Sequence, residues 1–179
     1  MIFSPENLLS NKVYTSIFCL TVSCLLFLRM ITWAIKKFND LTPDELYAIL
    51  RLRSGVFVVE QNCVFLDMDN KDQSAYHLMG WQTDTLIAYT RLVPPGISYE
   101  QPSIGRVVTS PAARGAGIGK LLMDESIIQS EKLFGKKPIR IGAQLYLKKF
   151  YTSLGFEQSS DIYDEDGIDH IEMIRQPIS

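Results

Sequence analysis

A mixed α/β fold, a mostly antiparallel sheet flanked by helices, is the class this sequence predicts, and three observations carry it. Thr42-Pro43-Asp44-Glu45 is a capping box with proline at the first helical position, so a helix opens there. Short apolar runs bounded by turn residues recur on either side of longer segments with helical spacing. Between them, Arg114-Gly115-Ala116-Gly117-Ile118-Gly119 joins the apolar run ending in Val107-Val108-Thr109 to a long helical pattern through a glycine-rich turn.

Taken in chain order, Ile31 to Lys37 reads as a first strand, and the helix opened by the capping box runs through about Val58. Strands at His77 to Trp81 and Leu86 to Leu92 form a hairpin around Thr83-Asp84. Pro94-Pro95-Gly96 then breaks the chain before a strand at Ser103 to Val108. The helix from Gly117 stops at Phe134, where Gly135 and Pro138 supply the stop signals. Ile139 to Ala143 is a short strand. Leu145 to Leu154 reads as a helix, because Leu147, Phe150, Tyr151 and Leu154 follow the i, i+3, i+4, i+7 rule, and Gly155 ends it. A strand after Phe156, a turn at Asp164-Glu165-Asp166-Gly167 and a last strand to Arg175 complete the sheet.

Composition bounds the partners. With 179 residues, 46% of them hydrophobic, the chain fits one globular domain with a real core. A formal net charge of −2 implies no basic face, which argues against nucleic-acid binding through phosphate neutralisation. Cys19 and Cys24 lie in an amino-terminal apolar segment, leaving Cys63 alone in the domain, a pattern that suits a reducing, cytoplasmic compartment rather than a disulfide scaffold.

The domain is expected over residues 30–179, with residues 1–29 outside it. Val13 to Leu28 is uncharged and flanked by Lys12 and Arg29, yet as a helix it would reach only about 24 Å, short of a bilayer core. Three readings stand for this segment: an upstream extension, a membrane anchor, or a cleaved signal without a small-x-small cleavage site. As an anchor it would leave the domain cytoplasmic, given Arg29, Lys36 and Lys37.

Function turns on the glycine-rich helix start. Backbone N–H groups there have no partner within the helix and carry the positive end of its dipole, so they suit a pyrophosphate. Three glycines in five residues remove the Cβ atoms that would hold phosphates away. A P-loop is excluded, because Arg114 stands five before Gly119 and Leu121 follows Lys120. A dinucleotide fingerprint is one residue short in its last spacing. Without a ligand, the same residues are simply a glycine-rich helix start.

What fits is Arg114-x-x-Gly117-x-Gly119, which resembles the coenzyme A pyrophosphate loop of the GNAT superfamily of N-acetyltransferases. The run Ala143-Gln144-x5-Phe150-Tyr151-x2-Leu154-Gly155-Phe156 resembles the second superfamily motif, with Gln144 where many members carry Asn. Leu52-Arg53 through Cys63, then Asp67-x-Asp69-x2-Asp72, His77, and Glu165 to Met173 look like the ElaA-like branch, over about Met30 to Arg175.

The resemblance implies the GNAT fold and direct transfer of an acetyl group from acetyl-CoA to a primary amine, with a small molecule or peptide as acceptor. It places the cofactor against Val107, Val108, Thr109, Arg114, Gly115, Ala116, Gly117, Ile118, Gly119, Lys120 and Gln144, with an oxyanion donor among the backbone amides of Val107 or Val108. Lys136-Lys137 or Lys148-Lys149 is either a solvated helix end or a contact for the adenosine phosphate. Tyr151 matches the family position that protonates the departing thiolate; otherwise it is a core tyrosine. Glu60, His77 and His170 are candidate bases, each with a structural alternative, Glu60 as an ion-pair partner near Arg53. Asp67-x-Asp69-x-Lys71-Asp72 departs from a calcium loop at the positions where Asp/Asn and Gly belong, so no metal is expected and a polar loop beside the acceptor cleft is. Two other activities share these features: an acyl-homoserine lactone synthase-like acyltransferase and a non-catalytic acyl-CoA-binding sensor.

Overall fold

The computed structural model describes residues 31–178. Its strands are β1 (Ile31–Lys37), β2 (Tyr76–Gln82), β3 (Thr85–Val93), β4 (Ser103–Thr109), β5 (Ile139–Gln144), β6 (Phe156–Gln158), β7 (Tyr163–Glu165) and β8 (Ile168–Arg175). Its α-helices are α1 (Pro43–Arg53), α2 (Ile118–Phe134) and α3 (Lys148–Thr152). The strands form one sheet in the order β1-β2-β3-β4-β5-β8-β6, with β7 paired to β8. Every pairing is antiparallel except β4 with β5, which are parallel.

The capping box at Thr42 forms as the sequence requires. Thr42 Oγ1 accepts from the Glu45 amide at 3.2 Å, and the Glu45 carboxylate accepts from the Thr42 amide at 2.9 Å. Lys36 of β1 donates to the same carboxylate at 2.8 Å, which ties the helix start to the sheet. Helical backbone runs close to the expected end at Val58, but the α-helix proper stops at Arg53. The chain then continues as π-helical turns over Ser54–Glu60, a rare conformation that occurs mostly as single-turn insertions in α-helices.

Helices cover both faces of the sheet because β2 and β3 alternate. Met79 and Tyr89 pack with Ile49 of α1 and with Val56, while Leu78 and Ala88 pack with Ile118 and Leu122 of α2. A third cluster gathers Met123, Ile141, Tyr151, Phe156 and Met173 around β5 and β8. Leu122 and Met123 are fully buried, and truncating either to alanine is worth about 2–5 kcal/mol.

Two local corrections follow from hydrogen bonding that side-chain spacing does not report. The helix expected from Leu145 to Leu154 is a 3₁₀ turn at Leu145–Leu147 followed by the five-residue α3. The turn expected at Asp164 to Gly167 shrinks to Asp166-Gly167, both with positive φ, because Asp164 and Glu165 already pair with β8.

β4 and β5 position the site. Their parallel register is confined to Ser103 opposite Arg140, so the strands part beyond it. On its other side, β4 carries a bulge: Tyr89 pairs with Val108 and Arg91 with Gly105, leaving Thr90 opposite both Arg106 and Val107.

Candidate active site

The gap between the parting strands opens into a cavity of about 1080 Å³. All the residues expected to hold the cofactor line it except Ala116, whose side chain packs against the core beneath. Gly115 and Gly117 have φ of +82° and +80°, and a Cβ built on either meets nothing within 4 Å. The turn thus demands glycine for its backbone and leaves open space in front of it. Gly117 caps α2 with no side-chain hydrogen bond. The amides of Ile118 and Gly119 have no intrahelical acceptor, so this end of a 17-residue helix presents donors and a positive dipole end to the cavity. These features fit a pyrophosphate.

Arg114 and Glu60, expected as phosphate ligand and candidate base, meet each other. The guanidinium donates to the carboxylate at 2.6 and 3.0 Å, with both side chains substantially exposed. Glu60 therefore does not pair near Arg53. The next residue, Gln61, exchanges amide hydrogen bonds with Gln144 at 3.3 and 3.4 Å, and the Cys63 thiol donates to the Asp166 carbonyl at 3.4 Å. One short segment leaving the π turns thus touches the glycine loop, the end of β5 and the β7–β8 hairpin.

Tyr151 lies against the cavity wall, 5% exposed, held edge-on by Phe150 and Phe156. Burial pushes its phenol far above the ordinary range, so it stays protonated at every working pH. The ring belongs to the core, and the residue also borders the cavity.

The histidines separate. His77 is fully buried with both ring nitrogens engaged, Nδ1 with Tyr89 Oη at 2.8 Å and Nε2 with the Asp72 carbonyl at 3.0 Å. Burial depresses its pKa, and it does not border the cavity, so it serves as a neutral structural link. His170 does border the cavity, stacked on Tyr163, with Nδ1 bound to the Ile168 carbonyl at 2.8 Å.

The acidic loop is occupied by arginines. Asp67 accepts from Arg53 Nε at 2.8 Å and from Arg106 Nε at 2.7 Å, while Asp72 accepts from Arg53 at 2.9 Å and Arg91 at 2.8 Å. Arg91 also forks onto Asp69 at 2.6 and 2.7 Å. Burial opposes ionisation of Asp69 and Asp72, but the arginines outweigh it and hold both carboxyls below their usual range. Asp69, Lys71, Arg91 and Arg106 line the cavity, so this is a polar wall of the site. The arginines were not anticipated from sequence. The available signal was two of them, Arg53 and Arg91, set among apolar residues opposite an acid-rich loop.

A parallel strand pair that parts beside a glycine-rich helix start, over a cavity bordered by a buried tyrosine, defines the acyl-CoA N-acyltransferase class. Residues 57–176 match the family model described as the acetyltransferase (GNAT) domain. The chain is 41% identical over 151 residues to protein ElaA of Escherichia coli K12, covering 83% of this chain and 99% of that one. The crystal structure of E. coli ElaA superposes with a TM-score of 0.78 over 82% of this chain and all of that one. An acyl-CoA N-acyltransferase from Pseudomonas aeruginosa also gives a TM-score of 0.78, at 43% identity over 81% of this chain and 99% of that one. The chain belongs to the GNAT acetyltransferases, in their ElaA-like branch.

Proposed function

We propose that the protein transfers the acetyl group of acetyl-CoA directly to a primary amine, both substrates being bound together. The observation that carries this reading is that the glycine-loop amides, the parting of β4 from β5, and Tyr151 all border one cavity. The amides of Gly115 to Gly119, with Arg114 and the Lys120 side chain, hold the pyrophosphate, and the pantetheine runs along Val107, Val108 and Thr109 past Gln144 toward Tyr151.

Bound there, acetyl-CoA supplies an activated carbonyl. The neutral amine nitrogen attacks it, a C–N bond forms, and the carbonyl electrons move onto oxygen, where an amide of Val107 or Val108 stabilises them. Collapse breaks the C–S bond. Tyr151 donates a hydrogen bond to the departing sulfur; because its pKa is raised well above that of a thiol, complete transfer would be uphill. The proton lost by nitrogen as the amide forms therefore ends on sulfur or water, and Tyr151 keeps its own proton throughout. Among the cavity-lining groups, Glu60 and His170 are the candidates to relay that proton, and Glu60 does so only when released from Arg114.

The test is thiol release from acetyl-CoA across a panel of polyamines, amino acids, aminoglycosides, peptide amino termini and lysine peptides. Release that depends on an amine, with the acetylated product seen by mass spectrometry, is the expected result. Tight acetyl-CoA binding with no amine-dependent release would overturn transfer and leave a binding module.

A further inference from the structure

Arg106 lies within β4 with φ of +52°, a conformation that costs a residue with a Cβ about 1–2 kcal/mol and that such bulges ordinarily give to glycine. Something must hold it there. Its guanidinium donates through Nε to Asp67 Oδ1 at 2.7 Å and through Nη2 to the Asp67 carbonyl at 3.1 Å. Arg53 grips the same residue in the same manner, Nε to Oδ2 at 2.8 Å and Nη2 to the carbonyl at 3.1 Å. Asp67 is 2% exposed, Arg53 is fully buried, and Arg53 is anchored in turn on Asp72 and over the Tyr89 ring. Charge-assisted forks of this kind are the strong hydrogen bonds of proteins, enough to outweigh the backbone strain. The strained residue immediately precedes Val107 and Val108.

We propose that Arg106, clamped by Asp67, is a positioning residue: it holds the β4 bulge in its strained form and so aims the Val107 or Val108 amide at the thioester oxygen. The inference rests on the acetyl-transfer reading for its kinetic consequence, though its structural consequence does not. Arg106 borders the cavity, but its guanidinium is turned onto Asp67, with a longer contact to Asp69 at 3.5 Å. Its contribution is the direction of a backbone N–H, which rigid placement makes effective.

Three variants separate conformation from charge. Arg106→Gly loses the clamp yet accepts positive φ freely; Arg106→Ala loses the clamp and prefers negative φ; Arg106→Lys keeps the charge without the fork. Because Asp67 keeps Arg53 in each, folding should persist, which circular dichroism checks. In amide spectra of the free protein, Val107 and Val108 resonances should move in Arg106→Ala and stay near wild type in Arg106→Gly. In turnover, kcat should fall about 10²-fold in Arg106→Ala with acetyl-CoA affinity within threefold, and Arg106→Gly should recover at least tenfold of that. Wild-type kcat in Arg106→Ala, or equal losses in the alanine and glycine variants, would overturn the proposal. Should wild type acetylate nothing in the panel, the transfer reading fails, while the resonances alone still decide the clamp: unmoved amides in Arg106→Ala refute it.

Discussion

Replacing Gly117 with valine separates what the glycine does for the backbone from what it does for a ligand. At φ +80° and ψ +7° the residue is left-handed, so a β-branched side chain there is strained by about 1–2 kcal/mol. The new Cβ meets no protein atom within 4 Å, so no steric clash adds to that strain. For a domain of this size such a strain lowers Tm by about 2–8 °C. Binding should suffer separately, because the valine methyls would occupy the open space in front of the Ile118 and Gly119 amides. Losing even one hydrogen bond to a phosphate costs about 1.5–3 kcal/mol, a weakening of roughly ten- to over a hundredfold. Calorimetric titration with acetyl-CoA reads the affinity and a thermal scan reads the strain. Gly96→Val is the control, since Gly96 has φ of +87°, an equally open Cβ and no place in the cavity. It should lower Tm similarly and leave affinity alone. Unchanged affinity in Gly117→Val, alongside the expected fall in Tm, would put the phosphates elsewhere.

Tyr151→Phe keeps the ring that Phe150 and Phe156 hold edge-on and removes only the hydroxyl, so Tm and acetyl-CoA affinity should stay while kcat falls about 10²–10⁴-fold, less with an acyl donor whose thiol is more acidic; full activity assigns the tyrosine to packing. Glu60→Gln frees Arg114 from an exposed pair worth no more than about 1 kcal/mol, so acetyl-CoA should bind up to about fivefold tighter, with the gain shrinking in high salt; weaker binding contradicts the competition. His77 has a depressed pKa in the folded state, so the unfolded chain takes a proton that the folded chain refuses. Stability should therefore be complete above about pH 6.5 and decline as the pH falls below it, and the slope of ΔG against pH there should flatten in His77→Gln.

Much of the scaffold was legible because its signals are local. A capping box, two-residue turns and glycine stop signals each act within a few residues, and strands β1 to β5 lie within one or two residues of where the apolar runs place them. The glycine loop was legible for the same reason, its geometry being written in six consecutive positions. Spacing could not separate a 3₁₀ turn from an α-helix after Gln144, since both bring residues three apart to one face; Phe150 and Tyr151 reach the core either way. Nor could it foresee the arginine network, whose partners stand 14 to 39 positions apart and converge only after the sheet has formed. Arg106 defies local propensity altogether, since a left-handed arginine is held there by tertiary contacts and nothing in its own segment asks for it.

The two sides of the cleft are built to different strengths. Behind β4, Arg53, Arg91 and Asp67 are at least nine-tenths buried, and breaking one pair in such a setting costs about 3–5 kcal/mol because a charge is left without water or partner. Across the cavity, the contacts from Glu60 to Cys63 are an exposed ion pair, two long amide bonds at 3.3 and 3.4 Å and one thiol bond. Each of these is worth about 1 kcal/mol or less. The π turns explain why that segment lies there: widening the helix after Arg53 redirects the chain across the cleft while leaving Arg53 itself inside. In the proposed transfer, the oxyanion donor must not move during the reaction, whereas two substrates must enter and two products must leave. A buried ionic network beside the donor and weak, separately breakable contacts over the opening meet those opposed requirements in one small domain.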